Sequence, residues 1–315
     1  MSRPLLLLPA LMALLPLLGA TCQPVTGRNT TPVSPQPAPA PAATPPGAVR
    51  FAVIGDYGND SQAEADVAAL VKGWDPEFVV TTGDNNYNFG LALTIDDNIG
   101  KHYASFIGNY RGSHGKGAED NRFWPAPGNH DWSLPSGLSP YTDYFTLPGN
   151  ERYYEVPRGL VHLFIVDSDK HEPDGNTAES RQGRWLMERL AASTACFKFV
   201  FVHHPPFSSS AHGSSEHMRW PFQAWGADAV FAGHDHTYER LAADGIPYFV
   251  DGLGGADRYE FRATAVPESQ FRYNATHGAM QVTATETGVE FEFRDVADRV
   301  VDRLRVDKVC AGAAP

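Results

Sequence analysis

The chain has 315 residues, 42% of them hydrophobic and 20% charged, with a formal net charge of −12. That acidity excludes a general nucleic-acid binder, which would show a basic face. Its three cysteines are an odd number, so at least one stands outside any intrachain pair.

Residues 1–21 begin with Arg3, continue through the apolar run LLLLPALMALLPLL and end in small residues, the pattern of a secretory signal. Pro9 and Pro16 interrupt the run, which falls short of the roughly 20 residues a spanning helix needs; a retained anchor is the alternative. No later segment is apolar enough to span. Cys22 stands where a bacterial lipoprotein carries its lipidated cysteine, but Leu18-Gly19-Ala20-Thr21 matches the usual box poorly. Lipid attachment to a membrane and simple cleavage near Ala20 both stay open. Residues 22–47 are rich in Pro, Ala and Thr without an apolar period, which predicts a disordered, extended linker. The folded body is then residues 48–311, long enough for one domain with a sizeable core. The expectation is an exported monomer, extracellular, periplasmic or membrane-anchored.

Within the body, VRFAVI (49–54) reads as a buried strand ending at Gly55-Asp56. Ser61-Gln62-Ala63-Glu64 is a capping box, and the helix it opens carries Val67, Leu70, Val71 and Trp74 on one face. After Pro76, EFVVTT (77–82) is the next strand, so the segment is a βαβ unit that demands a parallel sheet. Residues 100–121 predict a loop over the mouth of a site. Further strands are expected at 160–166, 197–202, 228–232 and 246–250, with a helix at 180–192. The tail, 278–306, alternates apolar and polar residues as antiparallel strands do. Mixed sheets sandwiched by helices fit this order. Cys196 and Cys310 either pair in an oxidising compartment or remain two buried thiols.

Almost every polar cluster falls where a predicted strand ends: Gly55-Asp56, Gly83-Asp84-Asn85-Asn86-Tyr87, Gly128-Asn129-His130-Asp131, His203-His204-Pro205 and Gly233-His234-Asp235-His236. The carboxyl ends of parallel strands share one edge, where ligands bind, and a glycine before each ligand lets the backbone turn sharply. Carboxylates, an amide and imidazoles are the donors a pair of cations needs.

In order, the motifs GD, GDxxY, GNHD, His before Pro and GHDH resemble the calcineurin-like metallophosphoesterases over roughly residues 50–255. Tyr87, three residues after Asp84, makes the chain look like a purple acid phosphatase of the small, tartrate-resistant type. The resemblance implies a four-layer α/β/β/α sandwich, two mixed β-sheets flanked by helices. It also implies that Asp56, Tyr87 and His236 hold a ferric ion, that Asn129, His203 and His234 hold a divalent ion (Fe2+, Zn2+ or Mn2+), and that Asp84 bridges them. Phenolate with carboxylates suits a trivalent ion, and an amide with two imidazoles suits a divalent one.

Two such cations would activate a hydroxide for in-line attack on phosphorus. His130 is the expected proton donor to the leaving group, with Asp131 orienting its other ring nitrogen. The family places a substrate-contacting histidine at the position of His212. Of the adjacent pair, period-two alternation lets one face the site, and the His-any-Pro form picks His203 over His204. His102, His114, His162, His171, His217 and His277 have no motif around them and are expected to be solvated or packed. The expected substrates are small phosphate monoesters, the alternative a phosphodiester of nucleotides or phospholipid head groups, and a further rival a non-catalytic binding protein that keeps the metal fold.

Overall fold

A computed structural model describes residues 45, 47–132 and 136–311. The expected signal segment, Cys22 and nearly all of the expected linker lie outside the described residues. Among those described, no helix is long and apolar enough to cross a membrane.

The strands in chain order are β1 (Val49–Ile54), β2 (Phe78–Thr81), β3 (Phe123–Pro125), β4 (Tyr154–Arg158), β5 (Val161–Ile165), β6 (Phe197–Phe201), β7 (Ala229–Ala232), β8 (Tyr238–Ala243), β9 (Ile246–Asp251), β10 (Ser269–Tyr273), β11 (Gly278–Thr285), β12 (Gly288–Asp295) and β13 (Val300–Asp307). They form two mixed sheets, ordered β13-β12-β11-β1-β2-β3 and β10-β8-β9-β7-β6-β5-β4. β1, β2 and β3 run parallel in the first, and β5, β6, β7 and β9 in the second. The tail supplies three antiparallel strands, of which β11 pairs with β1.

Alternation along β6 explains the layering. Phe199 meets Phe51 of the other sheet at 6.1 Å and Phe291 at 5.8 Å between ring centroids, so the inner faces close on each other through aromatic rings. Val200 and Val202 belong to a second buried cluster with Leu186 and Leu190 of the helix Arg181–Ala192. The first sheet's strands share their cluster with Val67, Leu70, Val71 and Trp74 of the helix Gln62–Gly73. A sheet buried on both faces needs apolar residues at consecutive positions, and FKFVFV and VRFAVI supply them.

Ser61 caps the first helix by accepting from the Glu64 amide at 3.1 Å. Glu64 does not close the expected box on Ser61. Its carboxylate reaches further back and accepts from the Asn59 and Asp60 amides at 3.1 and 2.8 Å. The expected loop at 100–121 is also corrected: residues 96–106 form π, α and 3₁₀ turns, because Ile99, Tyr103 and Phe106 are buried in the core. Strands β3, β4, β8 and β10 had no counterpart in the sequence reading. Cys196 and Cys310 form a disulfide with 5.3 Å between Cα atoms.

Candidate metal and phosphoester site

The seven expected ligands follow the carboxyl ends of β1, β2, β3, β6 and β7, so both parallel half-sheets deliver side chains to one edge. The expectation about glycines holds at Gly83, whose φ is 100°, and needs adjustment elsewhere. Three of the ligands themselves adopt the left-handed conformation, Asp56 at φ 55°, Asp84 at 52° and His234 at 69°. Gly233 and Gly128 serve close packing instead. A Cβ on Gly233 would stand 2.4 Å from Asp56 Oδ2, and one on Gly128 2.3 Å from the Asp84 amide nitrogen.

The side chains gather into two groups that share one oxygen. His203 Nε2 lies 3.0 Å from Asn129 Oδ1, 3.2 Å from His234 Nδ1 and 3.2 Å from Asp84 Oδ2. Tyr87 OH lies 3.2 Å from Asp56 Oδ1, 3.0 Å from His236 Nε2 and 3.1 Å from that same Asp84 Oδ2. Potential ligand atoms of Asp84, His203 and His234 all fall within 4.8 Å of one another. Donors about 2.1 Å from a cation and at right angles are about 3 Å apart, so the spacing suits coordination. Backbone carbonyls fix the rings: His203 Nδ1 donates to Thr82 at 2.9 Å and His236 Nδ1 to Asp257 at 2.6 Å. In both, Nε2 is the ring atom turned toward the cluster, the one whose lone pair a cation would take once any proton there is displaced.

The protein groups alone are in electrostatic conflict. Burial pushes the Asp56 carboxyl well up, outweighing the attraction of His203, and the Asp84 charge adds to the rise. Burial also acts on Asp84, but His203 beside it holds that carboxyl well below its usual range. Burial works against a proton on His203, yet the Asp84 carboxylate holds it at about 10. Burial, then His203, keep His234 well down, and burial lowers His236 to about 4. The Tyr87 phenol is pushed well up by burial and by both carboxylates. A cation entering such a cluster displaces protons and satisfies the acceptors together.

His130 stands at the rim with its ring 4.5 Å from that of Tyr87. Its amide donates to Asp84 Oδ1 at 2.8 Å, and its Nδ1 donates to the Asn88 carbonyl at 2.6 Å. Asp131 therefore does not orient His130, contrary to the expectation. Its buried carboxylate turns inward and accepts from the Gly128 amide and from the Asn85 amide and side chain, which ties the turn carrying Asn129 to the loop carrying Asp84. His212 stacks on His234 with 4.2 Å between centroids.

The sequence reading missed Asp235, the third residue of GHDH. Its buried carboxylate accepts from the His212 and Gly213 amides at 2.7 and 3.1 Å and from Ser208, so it moors the loop that presents His212. It also missed Tyr259, whose ring stacks on His236 at 4.0 Å. His204 does not turn away as alternation required, because β6 ends at Phe201 and the pleat lapses before it. Its ring lies 4.5 Å from His234 and 5.8 Å from His217. His171, His204 and His217 line one cavity that Asn129 borders.

Two mixed sheets with flanking helices and a cluster of Asp, Asn, Tyr and His at their shared edge define a metallophosphoesterase. The calcineurin-like phosphoesterase profile matches residues 49–238, more than half of the chain, and the chain belongs to that family. Within it the chain is purple acid phosphatase-like and is a hydrolase of phosphoric esters. Purple acid phosphatase 17 of Arabidopsis thaliana is 26% identical over 298 residues, covering 83% of this chain and 85% of its own length. Among solved structures, the purple acid phosphatase PPD1 from yellow lupin (Lupinus luteus) seeds aligns with a TM-score of 0.66 at 19% identity, over 82% of this chain and 54% of that one. GAP50, the anchor in the inner membrane complex of Plasmodium, shares the fold with a TM-score of 0.64 at 15% identity, over 83% and 89% of the two chains.

Proposed function

We propose that this chain is an exported phosphate monoesterase working with two metal ions, one ferric and one divalent. The observation that carries the reading is the double membership of Asp84, whose Oδ2 stands 3.1 Å from Tyr87 OH and 3.2 Å from His203 Nε2. The donor chemistry fits: Asp56, Tyr87 and His236 would hold the ferric ion, Asn129, His203 and His234 the divalent one, and Asp84 would bridge them. When bound, the pair supplies Lewis acidity and lowers the pKa of water. His130 carries a proton on Nδ1 that the Asn88 carbonyl fixes, so Nε2 is the atom free to exchange a proton with the leaving oxygen. His212, held by Asp235 against His234, offers a second donor to the phosphoryl group. That its relatives are purple acid phosphatases by name supports reading the activity as a phosphatase's, on monoesters. Export rests on the apolar leader and on the Cys196–Cys310 bond, which an oxidising compartment preserves.

The test compares an aryl phosphate monoester with the matching diester, for the wild type and for His130→Ala, with metal content measured in both. The monoester should turn over faster, and the variant should lose about 100-fold or more in kcat while keeping its metals. Faster diester turnover would overturn the monoesterase reading, and an unaffected variant would remove His130 from its role.

A further inference from the structure

Beside Asn129 lies a cavity of about 440 Å³, built by two loops that follow β5 and β6. Ser168, Lys170, His171 and Asn176 form one wall, and His204 and His217 the other. Its size is that of a small organic group. Every lining residue carries a polar group, so a leaving group bearing its own polar or charged atoms finds hydrogen-bond partners there. Since Asn129 belongs to both the metal cluster and this cavity, a phosphoryl group at the cluster would direct its ester substituent into the cavity or into solvent.

The hydrogen bonds along the walls leave a defined set of atoms for a ligand. Ser168 Oγ accepts from the His204 amide at 2.9 Å, so its own proton is available for His204 Nδ1 at 2.9 Å. The ring proton of His204 then sits on Nε2, which has no hydrogen-bond partner among the described residues. His217 Nε2 donates to the Ser168 carbonyl at 3.2 Å, and His171 Nδ1 donates to Asp169 Oδ1 at 2.7 Å, which leaves one nitrogen of each ring free. The one carboxylate in the lining, Asp169, accepts from both the His171 amide and its ring at Oδ1. Lys170 has no hydrogen bond or ion pair among the described residues. The cavity thus presents the Lys170 ammonium and free imidazole nitrogens, beside a carboxylate whose Oδ1 is held by His171.

We propose that this cavity is the leaving-group subsite and selects monoesters whose leaving group carries a second anionic group, phosphate or carboxylate, with Lys170 as its charge partner. The proposal rests on the monoesterase reading above. Loss of a contact to a group remote from the reacting phosphorus lowers kcat/KM for substrates that carry the group and leaves substrates without it unchanged.

The experiment uses the full-length, metal-loaded protein and three substrates: a hexose bisphosphate, a phosphorylated hydroxy acid and phenyl phosphate. The wild type should give a higher kcat/KM on the hexose bisphosphate, the phosphorylated hydroxy acid or both than on phenyl phosphate. Whichever is preferred identifies the second group as phosphate or carboxylate. Lys170→Ala should lower the ratio of that kcat/KM to the phenyl phosphate value by about fivefold, the scale of an exposed ion pair, and Lys170→Glu by more. Raising the salt should shrink the wild-type preference and leave the Lys170→Ala ratio nearly level, a response a structural role would not produce. Equal losses on all substrates, or no loss, would overturn the proposal while leaving the monoesterase intact. A wild type that hydrolyses none of the three would overturn both.

Discussion

At Asp56, Asp84 and His234 the backbone adopts positive φ, a conformation that costs a side-chain-bearing residue of order 1 kcal/mol and persists where surrounding structure enforces it. Each also takes part in the backbone bonding of the edge, as when the His234 amide donates to the Asp56 carboxylate at 2.9 Å. The strain is therefore spent on aiming short side chains at one point. Tyr87 is held by different means: its hydroxyl is enclosed by two carboxylates and an imidazole, and its proton is hard to remove until a cation replaces it. A phenolate on ferric iron should give a visible charge-transfer band, so purified, oxidised protein should be violet and Tyr87→Phe should lose the colour. Absorption spectra with matched iron analyses check this, and a band that survives in Tyr87→Phe would contradict the assignment.

The elements differ in how plainly their residues announced them. β1, β2 and β6 are buried on both faces and read as apolar runs broken only by Arg50, Thr81 and Lys198, and β11 to β13 alternate. β10, by contrast, is an edge strand of alternating half-buried and exposed residues, SQFRY, and β8 carries Glu239 and Arg240 in its middle; neither has an apolar period to detect. The site divided in the same way. Side chains at strand ends were legible because the motif fixes their place, whereas the partners of Asp131 and the direction of His204 depend on loop geometry that adjacency in sequence does not encode. The turns at 96–106 show what holds such a loop. Asp96 accepts from Tyr110 at 2.5 Å, Tyr144 at 2.9 Å and the Ser113 amide at 2.7 Å, linking three segments. Burial works to raise its pKa, but these donors prevail and hold it below 3.8. A depressed carboxyl gives stability that is present above the unfolded value and lost as pH falls through the folded one. Asp96→Ala should therefore cost about 2 kcal/mol at neutral pH, and its deficit against the wild type should narrow below pH 3.8. Urea unfolding at several pH values measures this; a deficit independent of pH would show that the charge is not what binds the segments.

Across the whole molecule, the two sheets face each other through aromatic contacts, and one covalent bond joins their ends. Cys196 immediately precedes β6 of the second sheet, and Cys310 follows β13, the edge strand of the first, 114 residues later. Closing so long a loop restricts the unfolded chain, and in the chain-entropy account it contributes about 2–5 kcal/mol. The bond sits at the amino end of β6, while His203 follows its carboxyl end. A strand of this length spans roughly 16 Å, which keeps the bond clear of the metal ligands. Stability and catalysis should then separate. The Cys196→Ala/Cys310→Ala double variant should unfold at lower denaturant by an amount matching that free energy, yet retain kcat for a phosphate monoester and its metal content under conditions where it is fully folded. A variant equally stable to the wild type would mean that native packing alone holds the tail. A fully folded variant with depressed kcat would mean that the tie between β6 and the end of β13 governs how β6 presents His203.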